Sequence, residues 1–264
     1  MDEPPLVPQT ETAEAKQPAS TSLFARMLNI FAVPGEVFEE VKSSAPRASN
    51  WLVPTLLCGL IGAVAAILMF SQPAILQGIH EQQAKALDAR VKAGKMTQEQ
   101  ADQAQAMTEK FSSPFVLKIS GSVAAMVVSF ISVFWWAFLL WAISRVGLKA
   151  QPPFMKLVEV AGLASVISVL AVIIKLLLAV SLSNPMASPS LALLVKPDPQ
   201  NKLYVLLNLV DIMAFWVLAV RAIGLAKLSG ASFARSVTWV LGVWLALTTF
   251  WISIAWAARS IFGG

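Results

Sequence analysis

Charge is scarce in this sequence. Only 13% of its 264 residues are Asp, Glu, Lys or Arg, and 57% are apolar, with a mean hydropathy of +0.69. Soluble domains carry about 25% charge, so an ordinary soluble domain is excluded. The single cysteine, Cys58, rules out a disulfide framework. The single histidine, His80, lies in a polar stretch and reads as an ordinary solvated residue, since a metal site needs several donors, so none is expected. The net charge of +5 is scattered, with no Lys/Arg block, and leaves no nucleic-acid footprint. Nucleophile elbows, Walker loops, HExxH and paired-Cys motifs are missing. No catalytic residue and no cofactor is therefore expected. Ser122 reads as a small packing residue; a Ser–Lys dyad with Lys175 is the one arrangement left, and nothing in the pattern supports it. A basic n-region is also absent, so no cleavable signal peptide is expected, and the first apolar run must direct insertion itself.

What is abundant is long apolar sequence. Five runs can cross a hydrocarbon core of ~30 Å, which takes ~20 helical residues: 51–70, 119–143, 158–182, 203–220 and 237–257. The third contains Glu159 and Lys175 and the fourth Asp211, so both are weaker peaks, and a three-span chain without them is the alternative. Nine tryptophans against one tyrosine suit a membrane protein, since indole favours the interface. The short links 2–3 and 4–5 hold Arg145, Lys149, Lys156, Arg221, Lys227 and Arg235. The positive-inside rule puts these links and the N-terminus in the cytoplasm, with the C-terminus outside. Residues 1–21 read as a disordered tail, 22–257 as the membrane domain and 258–264 as a C-terminal tail.

Three features stand out against this apolar background. Residues 74–111 are rich in Ala, Gln, Glu and Lys, with a stop at Gly94 and a capping-box start at Thr97/Gln100, and predict a helical hairpin outside the membrane. Lys175 and Asp211 fall at matching depth, roughly 10–12 Å below the outer boundary on antiparallel spans, and make a plausible ion pair. A second pair, Glu159 with Arg221, would need ~9 Å absorbed by tilt and snorkelling. These charges read either as a structural clasp between spans three and four or as an ion relay. Finally, "NIFAVPGEVFEEVK" reads as a cytoplasmic cap. Pro34 is the first helical residue, Phe38 lies on the apolar edge with Val37 and Val41, and Glu36, Glu39 and Glu40 face outward toward the basic links. The preceding helix has its own apolar edge at Phe24, Met27, Leu28 and Phe31. Small pairs Gly59/Ala63, Gly62/Ala66 and Gly121/Ala125 allow close helix approach.

"LLNLVDIMAFWVLAVRAIGLAKLSGASFARSV" resembles the signature region of the Yip (Ypt-interacting) family, bacterial branch: Asp211, Trp216, Gly224 and Leu225 match its pattern. "GLKAQPPFMKLVEVAGLASVISVL" is similar to the family's lead-in to span three, and "FARMLNIFAVPGEVFEEV" to its N-terminal opening. The resemblance implies an all-α, five-span bundle with amphipathic N-terminal helices on the cytoplasmic face, in a bacterial inner membrane. Eukaryotic relatives associate with Rab-type GTPases. This chain lacks their longer cytoplasmic arm and adds the 74–111 hairpin, and both departures argue against small-GTPase binding. The function expected is a non-enzymatic scaffold or adaptor whose partners are lipids, other membrane proteins or a second copy. The alternative is a small-solute or ion transporter using Lys175 and Asp211.

Overall fold

The computed structural model describes residues 21–198 and 201–262; the tail expected over 1–21 lies outside the described residues except for Thr21. The chain is all-helical among the described residues, and five helices are long and apolar enough to cross a membrane. Two short helices come first. α1 (Leu23–Ala32) starts where the Ser22 hydroxyl accepts from the Ala25 N–H, and α2 (Pro34–Ser43) starts on Pro34. Proline suits that first position because its φ is preset and its missing N–H would have had no helical partner.

The spans are α3 (Ser49–Met69), α6 (Pro114–Ala142, extended by a π-turn through Gly147), α7 (Phe154–Ser181), α9 (Ile212–Ser229) and α10 (Phe233–Phe262). Between α3 and α6 stands the hairpin of α4 (Pro73–Lys92) and α5 (Gln98–Phe111). It turns at Gly94, φ +69°, and restarts at Thr97, whose side chain and that of Gln100 close a reciprocal capping box. His80 is exposed there. α10 continues through most of the stretch expected as a C-terminal tail.

α7 is the central post. Every residue from Lys156 to Ile167 is buried, because α1, α2, α3, α6 and α9 surround that half of the helix. Small residues set the spacing. A Cβ on Gly162 would lie 2.3 Å from the Trp51 Cα, and one on Gly224 2.4 Å from Val160 Cγ1. Gly59 faces Met126 and Ser129, Gly62 faces Ala125, and Gly121 faces Ala66 and Phe70. The small-residue pairs of α3 and α6 are thus used within this chain, bringing two backbones close enough for extensive van der Waals contact.

The fourth span differs from the sequence expectation. The apolar run 203–220 is not one helix: α8 (Lys202–Leu209) stops, the chain breaks at Val210–Asp211, and the span runs nine residues later than expected, over Ile212–Ser229. Asp211 is the reason. Its carboxylate accepts from the Met213 and Ala214 N–H groups, an N-cap role that aspartate fills far better than a helix interior. The break is stitched to the preceding loop, with Leu191 N–H donating to Val210 O and Ile212 N–H to Pro189 O. At the other end Gly230, φ +66°, takes the left-handed conformation that closes α9.

Candidate functional site

Two groups of polar side chains, most of them buried, occupy opposite ends of the bundle. At the hairpin end, Lys175 Nζ lies 3.0 Å from Asp211 Oδ2. The two partners are unequally placed: the Asp211 side chain is 6% exposed and that of Lys175 is 44% exposed. Asp211 is fully engaged, one oxygen on the α9 cap and the other on the lysine. Lys175 instead borders a cavity of about 480 Å³ between α3, α7 and the loop before α8. Beside it Asn208 Oδ1 accepts from the hydroxyls of Ser188 (2.7 Å) and Ser190 (3.0 Å). Ser122 donates to the Ala63 carbonyl, so the Ser–Lys arrangement is not formed.

At the α1–α2 end, the expected Glu159–Arg221 pair does not exist. Glu159, 0% exposed, is held by Lys156 Nζ at 3.2 Å, by the Asn50 amide and by the Arg47 N–H. Lys156 also donates to the Val41 carbonyl at 2.6 Å. Asn50 passes the network on, its Oδ1 accepting from Arg26 Nη1, while Arg26 grips Glu40 through Nη2 (2.6 Å) and Nε (3.2 Å). Five side chains on α1, α2, α3 and α7 thus form one buried network whose two cations and two carboxylates cancel. The depth mismatch explains the correction: Glu159 found a cation one turn away on its own helix, which costs no tilt. Arg221 is left inside the bundle. Its guanidinium lies over Trp136, 4.1 Å from the ring centroid, and its Nε has no hydrogen-bond partner. Among the described residues it makes no ion pair. A desolvated cation on an indole face gains ~2 kcal/mol or more, which offsets part of that burial.

The cap residues divide between the two faces of α2. Phe38 is fully buried against Gly224, whose missing side chain makes the room. Glu36 is exposed, and Glu39 meets Lys227 of α9 at 3.3 Å. Glu40 is turned inward, contrary to expectation, because Arg26 needs it. The preceding helix is likewise rotated: Arg26 and Ile30 are buried, while Phe24 and Leu28 are 70% and 53% exposed. Next to a lipid phase the apolar edge can face outward and the polar one inward, the reverse of a soluble amphipathic helix. Trp216 meets Phe31 in a T-shaped contact, ring centroids 5.8 Å apart, so the end of α1 reaches beside α9.

Burial works against the Glu40 carboxylate, but hydrogen bonds from Arg26 and Thr21 outweigh it and hold its pKa below the ordinary value. A carboxyl with a lower pKa in the folded state adds stability above its unfolded pKa and loses it as pH falls through the folded one. The melting temperature of the wild type in detergent should therefore exceed that of Glu40→Gln near neutrality. The gap should begin to shrink as pH falls into the ordinary glutamate range, about 4.3, and close only below the lowered folded value. A gap that does not change with pH would contradict this.

Lys156 was legible in principle as the i, i+3 partner of Glu159. Arg26 and Asn50 carried no such signal, since only the fold brings them to α7. No group of three or more metal-ligating side chains occurs among the described residues. No curated protein and no solved structure matches the chain significantly. The family model of the Yip1 domain matches residues 28–255, which takes in the second half of α1, α2, the hairpin, the first four spans and nearly all of the fifth. This chain, with Asp211 capping its fourth span, belongs to the Yip family of multi-spanning membrane proteins.

Proposed function

We propose that this protein is a non-enzymatic membrane scaffold or adaptor that binds other membrane proteins or a second copy of itself. The reading includes a bacterial inner membrane, a cytoplasmic N-terminus and an outward C-terminus. The observation that carries it is α10. Only 6% of its most apolar stretch is buried, against 50% in α9, and it packs chiefly on α9 and on the π-turn. Leu245, Phe250, Trp251 and Ile254 are all exposed along it. A helix so lightly held contributes little to the bundle and offers a long apolar surface to another helix in the membrane. The orientation rests on Lys227, Arg235, Arg145 and Lys149, which cluster at the α1–α2 end.

A photo-reactive side chain at Trp251, used in native membranes, should give cross-linked species of discrete mass. The same group at Glu99, in the exposed hairpin, should give far fewer. Isolated monomers from both positions would overturn the scaffold reading.

A further inference from the structure

The geometry points to the cavity beside Lys175 as a binding site for the phosphate of a membrane phospholipid headgroup. The argument begins with unused donors. An ammonium has three N–H groups, and Lys175 spends one contact on Asp211 while its side chain remains 44% exposed within a membrane span. Asp211 cannot answer the rest, since its other oxygen caps α9. Asn208 adds a second donor: its carbonyl oxygen accepts from two serine hydroxyls, which leaves its amide N–H groups without an acceptor among the described residues. The polar side of the cavity therefore asks for an acceptor-rich, negatively charged group. A phosphate, with several oxygens able to meet donors from different directions, answers this better than a neutral solute.

The other walls say what must be attached to that phosphate. Met69 and Phe70 at the end of α3 and Leu176 and Met186 across from them are apolar. Lys175 lies six residues before the end of α7, about 9 Å along the helix. α7, 28 residues long, is longer than the ~30 Å hydrocarbon core and projects beyond it, which brings this level near the boundary between headgroup and acyl chain. The cavity volume, about 480 Å³, falls in the ~300–1,000 Å³ range of small-molecule sites. The broken helix contributes too. Irregular backbone at membrane depth is tolerated where it lines a cavity, and the break does so here through Asp211, with Asn208 just before it. Asp211 is then a positioning residue, fixing the lysine between carboxylate and phosphate.

The test is phospholipid retained by the protein after reconstitution in vesicles of phosphatidylethanolamine and phosphatidylglycerol, extraction and extensive detergent washing. Phospholipid and protein are quantified together by native mass spectrometry. Wild type should keep bound phospholipid, and Lys175→Met should keep about tenfold less, as expected for the loss of a charge-assisted contact. Because Lys175→Met leaves Asp211 unpaired and can misfold, Leu176→Trp serves as the second variant. It fills the cavity with the ion pair intact and should lose lipid equally while eluting as a monodisperse species. Retention unchanged in both variants would overturn the proposal. So would displacement of the lipid by millimolar inorganic phosphate, which would make the ligand a free anion, or retention of a fatty acid in place of phospholipid.

Discussion

Replacing Gly162 with alanine should cost more stability than any other single methyl group added to this protein. The new Cβ would fall 2.3 Å from the Trp51 Cα and 2.4 Å from its Cβ, with the Asn50 carbonyl at 3.2 Å. Overpacking usually costs about 1–3 kcal/mol because flexible side chains move aside. Here the obstacle is the backbone of α3, which cannot give way without parting from α7. Two further contacts would open with it: the Trp51 ring leaves Phe134, now at 5.3 Å, and Asn50 is drawn away from Glu159. We expect a loss beyond ~3 kcal/mol, read as a much lower melting temperature in detergent and reduced abundance in the membrane. Gly242→Ala is the control. A Cβ there meets nothing within 4 Å, and alanine is favoured over glycine in a helix by about 0.5–1 kcal/mol, so that variant should be as stable as wild type or slightly better. Equal stability of the two variants would mean that α3 and α7 are not closely packed at Gly162.

Glu159→Leu should have the second-largest effect. It removes the only carboxylate that Lys156 reaches among the described residues and leaves the Asn50 amide and the Arg47 N–H without their acceptor. Removing one partner of a buried pair costs about 3–5 kcal/mol, because the remaining charge stays desolvated. Removing both costs far less, since two charges no longer need to be buried. The double variant Lys156→Met/Glu159→Leu should therefore recover most of the loss, although Lys156 also holds the Val41 carbonyl. Thermal unfolding of the three variants in one detergent measures the coupling directly. If the double variant is no better than Glu159→Leu, the network is held by Asn50 and Arg47 more than by the ion pair.

The parts of this fold legible in the sequence were those written in long, one-dimensional patterns. Long apolar runs announced the spans, even where Glu159, Lys175 or Asp211 interrupted them, and Gly94 and Thr97 marked the hairpin because turn chemistry is local. Lys175 and Asp211 could be paired by depth counting alone. What was hidden required knowing which way a helix turns. The same depth counting treated 203–220 as one helix, although Asp211 is a better cap than an interior residue and its helix starts there. Arg26 sits one residue from Met27, and in a soluble protein its face of α1 would point to water. Beside lipid it points to the core, and periodicity is blind to that inversion. Arg221 was expected to seek the nearest carboxylate, but the indole of Trp136 met it first.

That last contact has an electrical consequence. The charges of Arg26, Glu40, Lys156 and Glu159 cancel, so a voltage across the membrane exerts no net force on that network. Arg221, midway along α9, is an isolated positive charge. Carrying such a charge the whole way across would be worth ~2.3 kcal/mol per 100 mV. Yet α9 is tied at three levels: by Asp211 to Lys175, by Gly224 to Val160 and by Lys227 to Glu39. The field can pull on the helix but meets a fastened one. Arg221 then acts as a fixed charge, raising the local potential felt by any ion or polar group that approaches the bundle through the membrane.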